Sequence, residues 1–375
     1  MLSNYLTVAL RKLAKQRDYA LLNVLGLGLS MACCTLIFVL LRHHLSFDTW
    51  HKNAGRTVRV VMDVQTETLM PFPGTPTPMG KALRGECAFL EKTAMRSGHD
   101  EVLISVVNDL GEKEKYKEEG KFAWVEPAYL DILDFPVLSG DVGALAEPNT
   151  VVITERLARK YFEDTDPIGK TLRLNNKTDL RLVGILRDFP NNTDYKQEIL
   201  GSWETLKTID GESGNLDFWG GARGDNYCFA LLREGHNLRE LEAFMPQITK
   251  KYPHPESPAL FQYKAKSLPE LHFDTEYGFG INKKYLWALG FVGLFLLITA
   301  CVNFVNMATA QALNRIREVG VRKSLGSTRG QLFWQFMFET GLIVAVSPLV
   351  GRFFVPPSLA STYNLVNRNP PFAAP

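Results

Sequence analysis

YLWALGFVGLFLLITACVNFVNMATAQALNRIREVGVRKSLGSTRGQLFWQFMFETGLIVAVSPLV (residues 285–350) reads as apolar span, basic loop, apolar span. The loop from Asn314 to Gly330 carries Arg315, Arg317, Arg322, Lys323 and Arg329 against the single acid Glu318. Lys and Arg concentrate in the cytoplasmic loops of membrane proteins, so this pattern places the chain in a membrane and turns the loop inward. Working outward, Tyr19 to Leu41 holds no charged residue, and about 22 helical residues reach roughly 33 Å, enough to cross a hydrocarbon core. Tyr285–Met307 is a second span. Leu332–Val350 is a third, interrupted by Glu339 and closed by Pro348. The overall composition, 22% charged with a net charge of +2, conceals this segregation.

Flanking charge sets the orientation. Arg11, Lys12, Lys15 and Arg17 precede the first span, whereas only Arg42, His43 and His44 follow it before Asp48. The N-terminus is therefore expected in the cytoplasm, residues 42–284 outside, and the basic loop inside again. A cleaved signal peptide fits poorly, because the apolar stretch is longer than an h-region and no A-x-A-like site follows. In the first sixteen residues, Leu2, Tyr5, Leu6, Ala9, Leu10 and Leu13 share a helical face with Arg11, Lys12 and Lys15 elsewhere, which predicts an amphipathic helix along the membrane surface.

The outer segment is too long for a loop and must fold by itself. Thr57–Thr68 alternates as a half-buried strand, and Asn149–Thr154 predicts another, with Thr154 capping a short helix over Glu155–Phe162. Lys170–Asn175 and Asp179–Asp188 read as a hairpin joined at Asn175-Asn176-Lys177. Pro71–Gly80 and Gly111–Lys121 read as solvated loops, and Leu268–Gly280 as a turn-rich outgoing stalk. The expected fold class is a membrane protein with α-helical spans and a mixed α+β extracytoplasmic domain inserted between the first and second.

Enzymatic motifs are missing from the sequence. There is no G-x-x-x-x-G-K-[ST] phosphate loop, no H-E-x-x-H, no G-x-S-x-G and no C-x-x-C, so no catalytic, cofactor or metal residues are assigned. His43, His44 and His51 sit at a membrane exit, where interfacial side chains are expected. Cys33, Cys34 and Cys301 read as small apolar residues in spans, while pairing of Cys87 with Cys228 is left open. Thr299, Asn303 and Asn306 recur on one face of the second span and are expected to make polar contacts between helices. Gly26, Gly28 and Ser30 predict close helix contact in the first span. Glu339, an acid within a span, needs a partner or the polar interface.

EPAYLDILDFPVLSG, LAEPNTVVITERLARKYF, DPIGKTLRL and LVGILRDFP, all within residues 125–190, resemble the periplasmic core domain of MacB-type ABC transporter permeases. LSFDTWHKNAGRTVRVV is similar to the start of that domain. From Leu286, the two spans and REVGVRKSLGS resemble the membrane domain of FtsX-like permeases. The resemblance implies a membrane subunit without an ATPase of its own, worked by a separate cytoplasmic ABC ATPase that pushes on the basic loop, for export, efflux or mechanotransmission. The coupling residues it implies are Arg315, Arg317, Glu318, Val319, Gly320, Val321, Arg322, Lys323, Leu325 and Gly326. Expected partners are that ATPase, a second permease copy or half, a periplasmic adaptor or lipoprotein, and membrane lipid, with no nucleic acid and no cofactor. The expected location is the bacterial inner membrane.

The implied organisation is residues 1–18 amphipathic helix, 19–41 span, 42–284 periplasmic core domain, 285–307 span, 308–330 coupling loop, 331–350 span and 351–375 an atypical tail. Such permeases carry a fourth span, and the proline-rich tail cannot supply one, so a truncated product or half of a split permease is expected. The competing reading is a membrane-anchored extracytoplasmic sensor or binding protein with no ATPase.

Overall fold

A computed structural model describes residues 17–107, 113–163, 165–209, 216–257, 260–278, 280–314 and 316–354. The amphipathic helix expected before Arg17 and the tail from 355 lie outside the described residues. The chain divides into two units, a helical one and a domain of Ser46–Asn282.

The first helix, α1, runs Arg17–Leu45. The domain follows with β1 (Thr57–Gln65), β2 (Leu69–Phe72), α2 (Met79–Glu86), β3 (Leu90–Val107), β4 (Lys113–Val125), α3 (Ala128–Ile132), β5 (Val137–Gly140), β6 (Thr150–Thr154), α4 (Glu155–Phe162), β7 (Thr171–Leu174), β8 (Thr178–Leu186), β9 (Ile199–Ser202), β10 (Asn226–Leu232), α5 (Leu238–Lys251), β11 (Phe261–Ser267) and α6 (Leu268–Leu271). The helical unit resumes with α7 (Lys283–Asn314), α8 (Ile316–Ser324) and α9 (Arg329–Phe354). Helices α1, α7 and α9 are each long and apolar enough to cross a membrane, judged by length and composition. The expected fold class therefore holds: apolar helices flank a mixed domain between the first and second.

Strand pairing explains how the domain encloses its core. β3 pairs β4, β4 pairs β9, β9 pairs β6, β6 pairs β8, β8 pairs β7, and β7 returns to β3, so hydrogen bonding closes a ring. From β3 the sheet extends outward through β10 and β1 to β11. Apolar residues at period two, such as Val58, Val60 and Met62 on β1, fill one core with Trp124, Leu157 and Met245. The opposite face holds a second core that includes Tyr129, Phe229, Leu268 and Leu271. Both asparagines of the β7–β8 turn have positive φ, 51° and 57°, as a type I′ hairpin turn requires.

Several local expectations are corrected. Gly111–Lys121 is not a solvated loop: from Lys113 it is strand β4, and its Glu118 is buried. β-pairing with β3 and β9 overrides the run's polar composition. Pro71–Gly80 begins as strand β2 and ends in α2, with Thr75 and Met79 fully buried. Thr154 occupies the N-cap of α4 but makes no cap bond; its hydroxyl donates to Glu198, and Asp188 accepts from the Arg156 N–H instead. The segment after β11 is no free stalk, since Leu268, Leu271 and Tyr277 are buried in the domain. Pro348 does not end the third apolar helix, which continues to Phe354.

Candidate coupling site and span interfaces

The basic segment between the last two apolar helices is itself helical. α8 occupies Ile316–Ser324, where every residue but Gly320 tolerates helix well and β-branched residues do not run consecutively. Its end is defined by two bonds, Leu325 N–H to Val321 O at 3.1 Å and Gly326 N–H to Lys323 O at 3.2 Å. Gly326 has φ +93°, a conformation that a side chain would strain, and it turns the chain off the helix axis. Thr328 and Gln331 then form a reciprocal capping box: the Gln331 side chain accepts from Thr328 N–H at 3.0 Å, and the Thr328 hydroxyl from Gln331 N–H at 3.3 Å. The sequence T-x-x-Q carried that signal.

Of the residues expected to couple to a partner, Gly320, Val321, Lys323, Leu325 and Gly326 are exposed and Val319 is half-buried. Val321 and Leu325, four residues apart, share one face and are 59% and 80% exposed. Arg315 lies outside the described residues, as do the side chains of Arg317, Glu318 and Arg322.

Thr299, Asn303 and Asn306 form the polar stripe of the second apolar helix, α7. Thr299 donates to Phe295 O of its own helix, and Thr299, Asn303 and Asn306 are all exposed on this chain. Asn303 approaches α1, beside Gly26. α7 packs on α1 through Gly290 and Gly293, whose positions meet Leu41 and Ile37, and by helical phase the stripe is centred roughly 140° around the helix from that face. The Cys34 thiol donates to Gly293 O at 3.2 Å on the same interface.

The tightest helix contact joins α1 to α9. A Cβ on Gly28 would lie 2.8 Å from Ser347 O, and one on Gly351 would lie 2.6 Å from Gly28 O, so only glycine fits at either position. Ser30 bonds back to Gly26 O of its own helix. On α9, Gln335, Glu339, Ile343, Ser347 and Gly351 recur at four-residue steps and are all buried. Glu339 accepts from Gln335 at 3.3 Å. That stripe was not read from the sequence, although its i+4 recurrence is visible there.

In the domain, a groove of about 840 Å³ runs between α5 and β11, lined by Pro246, Thr249, Lys250, Tyr263, Lys264 and Lys266. Lys264 and Lys266 already hold Asp63 at 2.5 Å and Asp274 at 3.1 Å. Burial pushes the Asp274 carboxyl up, but N–H donors from Tyr277 and Glu276 together with Lys266 outweigh it and hold the group below its usual range. Among the described residues no group of three or more His, Cys, Asp or Glu is placed to hold a metal ion. His51 is occupied by a bond to Leu133 O and lies 3.6 Å from Asp48. Cys87 and Cys228 are free thiols in one apolar core, and burial pushes both up, Cys87 to about 12.

Residues 20–248 match the family described as MacB-like periplasmic core domain, and residues 290–355 match the FtsX-like permease C-terminal family. The first match alone spans more than half the chain. The chain is a MacB/FtsX-like ABC permease. Among curated relatives, this permease is 23% identical over 249 residues to the uncharacterized ABC transporter permease YknZ of Bacillus subtilis, covering 64% of this chain and 58% of that one. It is 24% identical over 205 residues to the macrolide export ATP-binding/permease protein MacB of Neisseria gonorrhoeae, covering 55% of this chain. The permease spans only 29% of the length of that MacB protein. A solved domain of a putative permease protein from Porphyromonas gingivalis covers 58% of this chain and 92% of its own length at 19% identity, with a TM-score of 0.47.

Proposed function

We propose that this permease is the membrane subunit of an ABC-type system in which a separate cytoplasmic ATPase hydrolyses ATP and drives motion of the extracytoplasmic domain. The observation that carries the reading is α8, a nine-residue helix between two apolar helices with Val321 and Leu325 exposed beside basic residues. A partner that must push on a membrane subunit needs an ordered element to push against, and a capped helix delivers displacement that a coil would absorb. Val321 and Leu325 are the apolar anchors; Arg315, Arg317, Glu318, Arg322 and Lys323 set register around them. Val319, Gly320 and Gly326 give the close approach and the turn.

In this reading the N-terminus and α8 are cytoplasmic, the membrane is the bacterial inner membrane, and the work done is export, efflux or mechanotransmission. The outward stripe Thr299, Asn303 and Asn306 meets a second permease copy or half, since the two asparagine amides are costly to leave facing lipid. An extracytoplasmic adaptor or lipoprotein is the partner of the domain. Co-purification of the full chain with ABC ATPases from its own cells tests the docking claim. The wild-type chain is expected to retain an ATPase, and Arg322→Glu with Lys323→Glu to lose it. Recovery of no ATPase, or recovery indifferent to the double substitution, would overturn the reading.

A further inference from the structure

The chain enters its extracytoplasmic domain at Ser46 and leaves it at Asn282, about 240 residues later in sequence, yet the two passages are fastened to one another. The fastener is the segment Asn192–Tyr195, which follows β8. On the incoming side, the Asn192 amide donates to Ser46 O at 2.8 Å and to the Ser46 hydroxyl at 3.1 Å. Asp48 N–H donates to Asn192 O at 3.0 Å, while the Asp48 carboxylate accepts from the Thr193 hydroxyl and from Asp194 N–H. On the outgoing side, His272 Nδ1 lies 2.8 Å from the Asp194 carboxylate. The same imidazole stacks on Phe47, with ring centres 3.6 Å apart and an interplanar angle of 15°.

A second tie runs through β1. Arg59, fully buried, donates to the Tyr195 hydroxyl at 3.4 Å and to the Tyr277 carbonyl, and its guanidinium lies 4.3 Å from the Tyr227 ring centre. Phe47, Asp48, Thr193, Tyr195, His272 and Tyr277 are all buried. Buried polar groups lose their partners at high cost, so none of these bonds can be broken singly without exposing or orphaning the rest.

We infer that the incoming segment (46–51) and the outgoing segment (268–277) form one clasp that opens as a single cooperative unit. The first and last segments of the domain therefore respond as one element and not as two independent ones. Local opening in proteins occurs in contiguous units, and here the unit is contiguous in space while divided in sequence. The prediction is that damage on one side is felt on the other. This holds whether or not an ATPase works the protein.

Hydrogen exchange on the full-length chain in nanodiscs reads it directly. His272→Ala is expected to speed exchange of amides in 46–51 at least tenfold, and Phe47→Ala to do the same for 268–277, while β6 and α4 keep wild-type protection. Asn192→Ala, a milder change, is expected to loosen both segments together, and this separates clasp opening from general unfolding should either larger truncation destabilise the whole domain. A disulfide between cysteines placed at Ser46 and Asn192 is expected to protect the outgoing segment as well as the incoming one. Exchange that rises only in the segment carrying each substitution, with Asn192→Ala leaving 268–277 unchanged, would overturn the inference.

Discussion

Glu118 is 2% exposed, in the middle of the run KEKYKEEGK, and it receives Lys160 at 2.5 Å, Lys121 at 2.6 Å and the Tyr161 hydroxyl at 2.8 Å. Burial raises its carboxyl, but the two lysines and the tyrosine outweigh burial and leave it below its ordinary value. A carboxyl depressed in the folded state contributes its full stabilisation above the unfolded value of about 4.3 and loses it as pH falls through the folded value. Glu118→Gln is expected to cost about 1–2 kcal/mol near neutral pH, because the buried side chain then loses its charge-assisted bonds to Lys160 and Lys121, both of which remain partly solvated. The cost should shrink as pH falls below about 4.3, where the unfolded carboxyl takes up a proton, and vanish once the folded carboxyl is protonated too. Melting temperatures of both proteins across that range check it; a pH-independent gap would show that packing and not charge holds the cluster. The sequence offered eleven residues of charge and turn formers at 111–121 and no cue that one acid points inward. The cue lies in Lys160 and Tyr161, about forty residues away, and period-two reading cannot reach across a helix. Cys87 and Cys228 belong to the same scale. With both thiols buried and pushed up, the folded protein should resist maleimide while the unfolded one labels at both positions, as mass measurement would report.

Elements were more legible than residues. Sustained apolar runs of about twenty residues identify α1, α7 and α9 because nothing else in a chain looks like them, and the β7–β8 hairpin was announced by two consecutive asparagines. The helical state of 316–324 was hidden, since the five basic residues and two glycines of 315–329 read as a loop, and the chain turn at Gly326 that ends the helix is not distinguished in sequence from a loop glycine. Which neighbour the polar stripe meets was not legible, for a different reason. Composition shows that Thr299, Asn303 and Asn306 share a face, but which face of α7 meets α1 depends on Gly290 and Gly293, where backbones come close. The same logic makes a prediction for α1. Gly28→Leu would press a side chain into the Ser347 carbonyl, with an overpacking cost of about 1–3 kcal/mol or more, whereas Ser30→Ala, which loses only a bond within its own helix, should be nearly silent. Thermal stability in detergent would separate the two; equal effects would mean that α1 and α9 are not packed through this contact.

At the scale of the molecule, a domain of Ser46–Asn282 is bracketed by apolar helices, and charge at both ends of the first two argues that it lies outside the cytoplasm. An alkaline phosphatase fused after Gly220 should therefore be active, and a fluorescent protein fused there dark; the opposite pair of results would invert the topology. The architecture was legible from spans and family motifs together, whereas the ring closed by β7 was not, because a four-residue strand leaves little trace in a sequence. Strand order has a further consequence, for the protein's manufacture. β1 is among the first parts of the domain to be made, but its neighbours β10 and β11 are synthesised roughly 170 to 200 residues later. β2 covers Met62–Gln65 on one edge almost at once, but until β10 and β11 arrive the Thr57–Val60 half of that edge and the whole of the other wait open, so the newborn chain is most vulnerable to mispairing in the interval before its second apolar helix is made. Any factor that guards this protein during its birth has that strand to cover.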